Sequence, residues 1–180
     1  MSKECDDLLI PKHLHKEGRD EDQDFLGVEF FYRRVRPEMI TTIGQRTKVD
    51  PSAFSVKKMS CNRSKYCSGP EDVLYNKDSD KHFTSWGVIA LTVDQLRLAE
   101  CRHTTKPDIL YTVIPVHSPS TCIYPHSEAI ICENGVRQDD IKPKAVKTLI
   151  KSMWADICQV VVMPSEAAHL MPEPTQGHEA

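Results

Sequence analysis

The chain has 180 residues, a mass of 20.5 kDa, 39% hydrophobic and 27% charged residues and a formal net charge of −3, which fits one globular domain with tails. That composition excludes collagen-like, low-complexity and wholly disordered classes. No run reaches the roughly 18 apolar residues that cross a bilayer, and the seven cysteines are odd in number and scattered, which argues against a disulfide-built secreted domain.

Residues 1–24 hold eight acids against four bases and read as a mobile acidic arm. They lack the basic start, apolar stretch and small-residue cleavage site of a secretory signal, so a soluble cytoplasmic protein without membrane contact is expected. Residues 25–36, FLGVEFFYRRVR, are rich in aromatic and β-branched residues and stop at Pro37, which predicts a first strand. Strand alternation puts Phe30, Tyr32 and Arg34 on one face and Phe31, Arg33 and Val35 on the other, so one arginine is expected to point into a cleft.

From 37 to 85, short apolar groups are separated by Pro, Gly, Asn and Ser, and long loops with brief strands or turns are expected. WGVIAL at 86–91 reads as a buried strand, and Thr92 as the N-cap of a short helix with apolar Val93, Leu96, Leu98 and Ala99. ILYTVIPV at 109–116 and EAIIC at 128–132 are two further strands. The clearest helix is 141–158, where Val146, Leu149, Ile150, Met153, Trp154 and Ile157 form one apolar stripe opposite Lys144, Lys147 and Lys151. QVVVMP at 159–164 supplies a closing strand.

The expected fold is therefore α+β: a single domain over 25–163, with a mixed or antiparallel sheet and two to three helices. Residues 164–180 carry three acids, three prolines and no Lys or Arg, and read as a disordered acidic tail.

Charge concentrates sharply. Residues 33–66 hold nine bases against Glu38 and Asp50, interleaved with Phe54 and Tyr66. Cations among aromatics suit a phosphate or stacked bases, so Arg33, Arg34, Arg36, Arg46 and Lys48 are candidate ligands for a nucleotide, a nucleic acid or an acidic protein partner. The acidic arm is a competing internal partner for this block. A second protein-partner surface is the apolar stripe of helix 141–158, whose alternative use is packing on its own sheet.

No HExxH, G-x-S-x-G, G-x-G-x-x-G or GxxxxGK[ST] occurs, and no cofactor is expected. Cys61 and Cys67 are separated by five residues and Cys101 and His103 by one, against the two to four of a zinc-binding turn, so no metal site is assigned.

Arg33 on the first strand, Thr84 and Ser85 in the middle, and His126 with Glu128 before a late strand resemble the Arg, Ser, Glu arrangement of ADP-ribosyltransferase-like domains. The resemblance implies a nucleotide-handling enzyme in which Arg33 holds phosphate, Ser85 stands in the middle element, His126 carries a proton or orients, and Glu128 stabilises charge. FYRRVRPEMI, DPSAFSV and ILYTVIPV with PHSEAII are also similar to an uncharacterised group of small bacterial proteins. That similarity marks Arg33, Arg34, Pro37, Phe54, Ser55 and His126, and implies a bacterial origin without supplying an activity.

Overall fold

Strand β1, Phe30–Val35, is the hub of the architecture, with β7 (Gly87–Thr92) on one side and β4 (Met59–Arg63) on the other, both antiparallel to it. The computed structural model describes residues 22–77, 79–119, 123, 125–138 and 143–170. Outward from β4 follow β10 (His126–Glu133), β9 (Leu110–His117) and the short β8 (Cys101–Arg102). Outward from β7 lies β12 (Gln159–Val162), whose register shifts between Val160 and Val162, and β11 (Val136–Arg137) folds back on the end of β10. All these pairings are antiparallel, and two hairpins stand outside the sheet: β2 (Ile40–Ile43) with β3 (Arg46–Val49), and β5 (Tyr75–Asn76) with β6 (Lys81–His82).

Turn chemistry fixes two of these reversals. Asn134 and Gly135 both adopt positive φ, 49° and 80°, between β10 and β11, which is the mirror-image turn that the twist of paired strands favours. Gly44, at φ 63°, takes the first central position between β2 and β3, where a side chain would be strained.

One face of the sheet carries the main core. Phe31, Val35, Met59, Cys61, Ile89, Leu91, Val113 and Ile131 project from alternate strand positions into the main core. Against them pack α1 (Val93–Leu98), α2 (Lys144–Ile157) and the turn Pro51–Ala53. Thr92 caps α1 as expected: its hydroxyl accepts from the Gln95 N–H at 3.1 Å while the Gln95 side chain accepts from the Thr92 N–H at 2.8 Å. In α2, Val146, Ile150 and Trp154 are buried, with Trp154 against Phe54 at 5.8 Å between ring centroids. Of the two uses open to this stripe, partner docking and packing on its own sheet, the second is the one seen, and its exposed member is Leu149.

Among the described residues, the opposite face is covered at one end. Val88, Val162, Val73, Leu74 and Ala167 make a second, smaller core under the turn Pro70–Leu74 and the short helix α3, Ala167–Leu170. The covering stops at β1, and the face over β1, β4 and β10 opens into a cavity.

The structure is α+β, an antiparallel sheet with three α-helices among the described residues. Several local expectations change. The first strand begins at Phe30 instead of residue 25, because the Gly27 and Glu29 carbonyls accept from the Asp94 and Val93 N–H groups, two donors that the first turn of α1 leaves free. Leu98 is exposed at the helix end. The span 37–85 holds β4, a central strand, as well as hairpins and turns. Packing continues past residue 163, with Ala167 fully buried; residues 1–21 of the proposed arm and 171–180 of the proposed tail lie outside the described residues, as do 141 and 142 at the helix start. Among the described residues, no helix is long and apolar enough to cross a membrane.

Candidate functional site

The basic block is largely consumed by the fold. Arg63, with a fully buried side chain, directs Nε and Nη2 to the two oxygens of Glu29 at 2.7 and 2.9 Å, and also donates to the carbonyls of Asp22 and Asp24. Its guanidinium lies 4.1 Å from the Phe25 ring centroid. Asp22 completes this knot through Lys65 and the Tyr66 hydroxyl, so the described end of the acidic arm does meet the basic block. Burial opposes the Asp22 charge, but Lys65, Tyr66, the Asp24 N–H and Arg63 outweigh it and hold the carboxyl well below the usual carboxylate range.

The other cations separate. Arg33 projects from the main-core side of β1 and spends Nε on the Ala53 carbonyl at 2.9 Å and Nη1 on the Ser60 carbonyl at 2.7 Å. Arg36 pairs with Glu38 at 3.2 Å in solvent. Arg46 and Lys48 stand exposed on the β2–β3 hairpin and do not border the cavity. Of the five residues proposed as one ligand-binding surface, Arg33 and Arg34 border one cavity, while Arg36, Arg46 and Lys48 do not, because strand alternation and the hairpin send them elsewhere.

Arg34 has a different environment. It leaves β1 on the incompletely covered face, donates Nη1 to the Val73 carbonyl at 3.1 Å and lies 4.1 Å from the centroid of Phe83. Burial, and to a lesser extent the neighbouring Arg33 charge, pull its pKa down, yet a guanidinium keeps its charge in proteins. The cavity beside it has a volume of about 420 Å³ and is walled by the aromatic rings of Tyr32, Tyr75, Phe83 and Trp86. Phe83 and Trp86 meet edge to face at 4.9 Å, which fixes both rings. No Asp or Glu borders the cavity among the described residues, so its positive charge is not neutralised from within.

Its floor is the pair β4 and β10. Register places His126 opposite Asn62 and Glu128 opposite Ser60, and alternation turns all four side chains to the cavity side of the sheet. Ser60 Oγ lies 2.8 Å from His126 Nε2, and His126 Nδ1 lies 2.5 Å from the Ser118 carbonyl. A carbonyl only accepts, so Nδ1 carries hydrogen; in the neutral imidazole Nε2 then accepts the hydrogen bond that the Ser60 hydroxyl donates. The neighbouring Cys61 faces the main core, where burial pushes its thiol up to about 12, so serine is the nucleophilic group that this strand presents.

Of the proposed catalytic set, Arg33 and His126 border the cavity, but the Arg33 guanidinium is held by backbone carbonyls. Ser85 sits in an exposed turn beside Trp86, and Glu128 turns to Lys58 at 3.7 Å; neither borders the cavity. The structure instead gathers Arg34, Ser60, Asn62 and His126 with the aromatic wall. Of these, Ser60, Asn62, Tyr75, Phe83 and Trp86 carried no sequence expectation of a role; for Ser60 and Asn62 the signal that could have found them is their alternation with Met59 and Cys61, weakened by Arg63 in a core position. Among the described residues, no group of three or more His, Cys, Asp and Glu side chains could hold a metal ion. The comparisons with protein-family models, with curated proteins and with solved structures find no match to this chain.

Proposed function

We propose that the chain is a recognition module for a small anionic ligand bearing a flat ring, of the nucleotide class, taken up in the cavity between β1, β4 and β10. The observation that carries this reading is Arg34, a half-buried guanidinium on the Phe83 ring at the edge of an aromatic cavity that no acid borders among the described residues. An arginine of this kind bonds a phosphate or carboxylate in two-pronged geometry, and the neighbouring aromatic faces suit stacking of a base. The volume of about 420 Å³ lies within the range of small-molecule sites, roughly 300–1,000 Å³.

This reading keeps the anionic ligand expected from residues 33–66 but moves its seat from a broad surface to one arginine. Binding at a half-buried arginine differs from surface binding in its salt dependence, because exposed charges are screened and a surface phosphate contact acts by counterion release. The test is a thermal-shift series with nucleoside monophosphates, inorganic phosphate and short single-stranded RNA, at low and at physiological salt. A ligand that binds only the folded state raises its apparent stability. A monophosphate shift that persists at the higher salt and is lost in Arg34→Gln is expected; a shift with RNA alone that vanishes with salt would return the function to the exposed cations of the hairpin.

A further inference from the structure

We infer that Ser60 is an ester-cleaving nucleophile, with His126 as its general base, acting on an anionic ring-bearing carboxylic ester held in the same cavity. The substrate class rests on the ligand reading above; the dyad itself rests on three independent observations. The first is the hydrogen bond from Ser60 Oγ to His126 Nε2 at 2.8 Å, within the reach that proton transfer requires. The second is the Ser118 carbonyl 2.5 Å from Nδ1, which fixes the tautomer and the ring plane in the way the third member of a serine–histidine relay does. The third is access: Ser60 is exposed on the cavity floor, whereas a serine bonded for structural reasons alone gains nothing from facing an open, aromatic-walled space.

The chemistry balances with water as the only co-reactant. Ser60 Oγ attacks the ester carbonyl carbon while its proton passes to His126 Nε2. The carbonyl oxygen gathers negative charge, and the donors beside it on the same side of the sheet are the Asn62 amide and the Arg34 guanidinium. When the carbonyl re-forms, the ester C–O bond breaks and the alcohol leaves with the proton from His126. Water then attacks the acyl group on Ser60, gives one proton to His126, and the acid departs as Ser60 recovers its hydrogen. Ser118 is a positioning residue throughout, acting only through its backbone oxygen.

The experiment uses an alkyl fluorophosphonate, which needs neither a ring nor a charge for recognition, on the full chain at neutral pH. Attack by Ser60 forms a P–O bond, expels fluoride and passes the proton to His126. Mass spectrometry of the digested protein is expected to find the adduct on Ser60, absent in Ser60→Ala, and formed about 100-fold or more slowly in His126→Gln, in line with the usual contribution of a general base. His126→Asn provides a second variant should the first fold poorly, and added imidazole is expected to restore part of its labelling rate. No adduct on Ser60 in the folded wild-type protein, or equal rates with and without His126, would overturn the inference. The thermal shift with a monophosphate, read in the wild-type protein beside its labelling, separates the two readings: a shift with no adduct on Ser60 leaves the binding site and removes the enzyme, whereas an adduct with no shift removes the nucleotide-class ligand.

Discussion

Arg63 and Glu29 form a two-pronged ion pair between buried side chains, closed on one side by the Phe25 ring and on the other by the backbone of Asp22 and Asp24. The pair joins the end of β4 to the segment entering β1, the two strands that carry Ser60 and Arg34. Removing one member leaves a buried charge uncompensated, which costs about 3–5 kcal/mol. Arg63→Ala is therefore expected to lower the urea midpoint sharply, and the double variant Arg63→Met with Glu29→Leu to recover much of the loss. A single variant indistinguishable from wild type in urea would show that the knot carries no stability.

Asp22 adds a pH dependence of defined sign. Its carboxyl is held below the ordinary value of 3.8 in the folded chain, so the unfolded chain binds the proton more readily. The stabilisation it supplies is present above that value and is lost as the pH falls below it. The Tm difference between wild type and Asp22→Asn should be largest at about pH 6 and should shrink by about pH 3. A difference that is constant across that window would contradict the assignment.

Two neighbours on α2 should respond unequally. Ile150 is fully buried, and its truncation to Ala is expected to cost about 2–5 kcal/mol; Leu149, 44% exposed, should cost well under half of that. Chemical denaturation of the two variants checks the orientation of the helix directly. Equal losses would mean that Leu149 is covered by something other than this chain's own core.

Thr92 offers a test of the local rule that was read from sequence alone. Its hydroxyl and the Gln95 side chain satisfy each other's backbone N–H, so Thr92→Ala should cost about 1 kcal/mol and Thr92→Ser much less.

The elements legible in the sequence are those whose apolar spacing matches a single period. The α2 stripe has this property; the run 86–91 is continuously apolar and Thr92 is a capping residue type, and the structure has all three, with the strand one residue later at Gly87–Thr92. The hairpin at Asn134–Gly135 was also open to reading, since that dipeptide is the strongest short signal for a tight reversal. β4 is different. Its sequence MSCNR alternates correctly, but Arg63 occupies a core position that Glu29, 34 residues earlier, and the Asp22 and Asp24 carbonyls make tolerable. A long-range pair of that kind leaves no local trace, and with β4 hidden, Ser60 and Asn62 were hidden too. The charge of residues 33–66 was visible, but its dispersal was not, because each arginine is assigned by the face it leaves and by the carbonyl or carboxylate it meets there.

If Arg34 and the aromatic wall bind an anionic ring, Trp86 reports on it directly. The chain has two tryptophans, of which Trp86 borders the cavity and Trp154 is buried in the main core. Titration of the full chain with adenosine monophosphate, followed by tryptophan emission, should give a saturable change that disappears in Trp86→Phe. A hydrogen bond to a charged group contributes about 1.5–3 kcal/mol, so Arg34→Gln should weaken the affinity by at least about tenfold, with Arg34→Lys between the two. No saturable change with any nucleoside monophosphate, or an affinity unaltered by Arg34→Gln, would contradict the account.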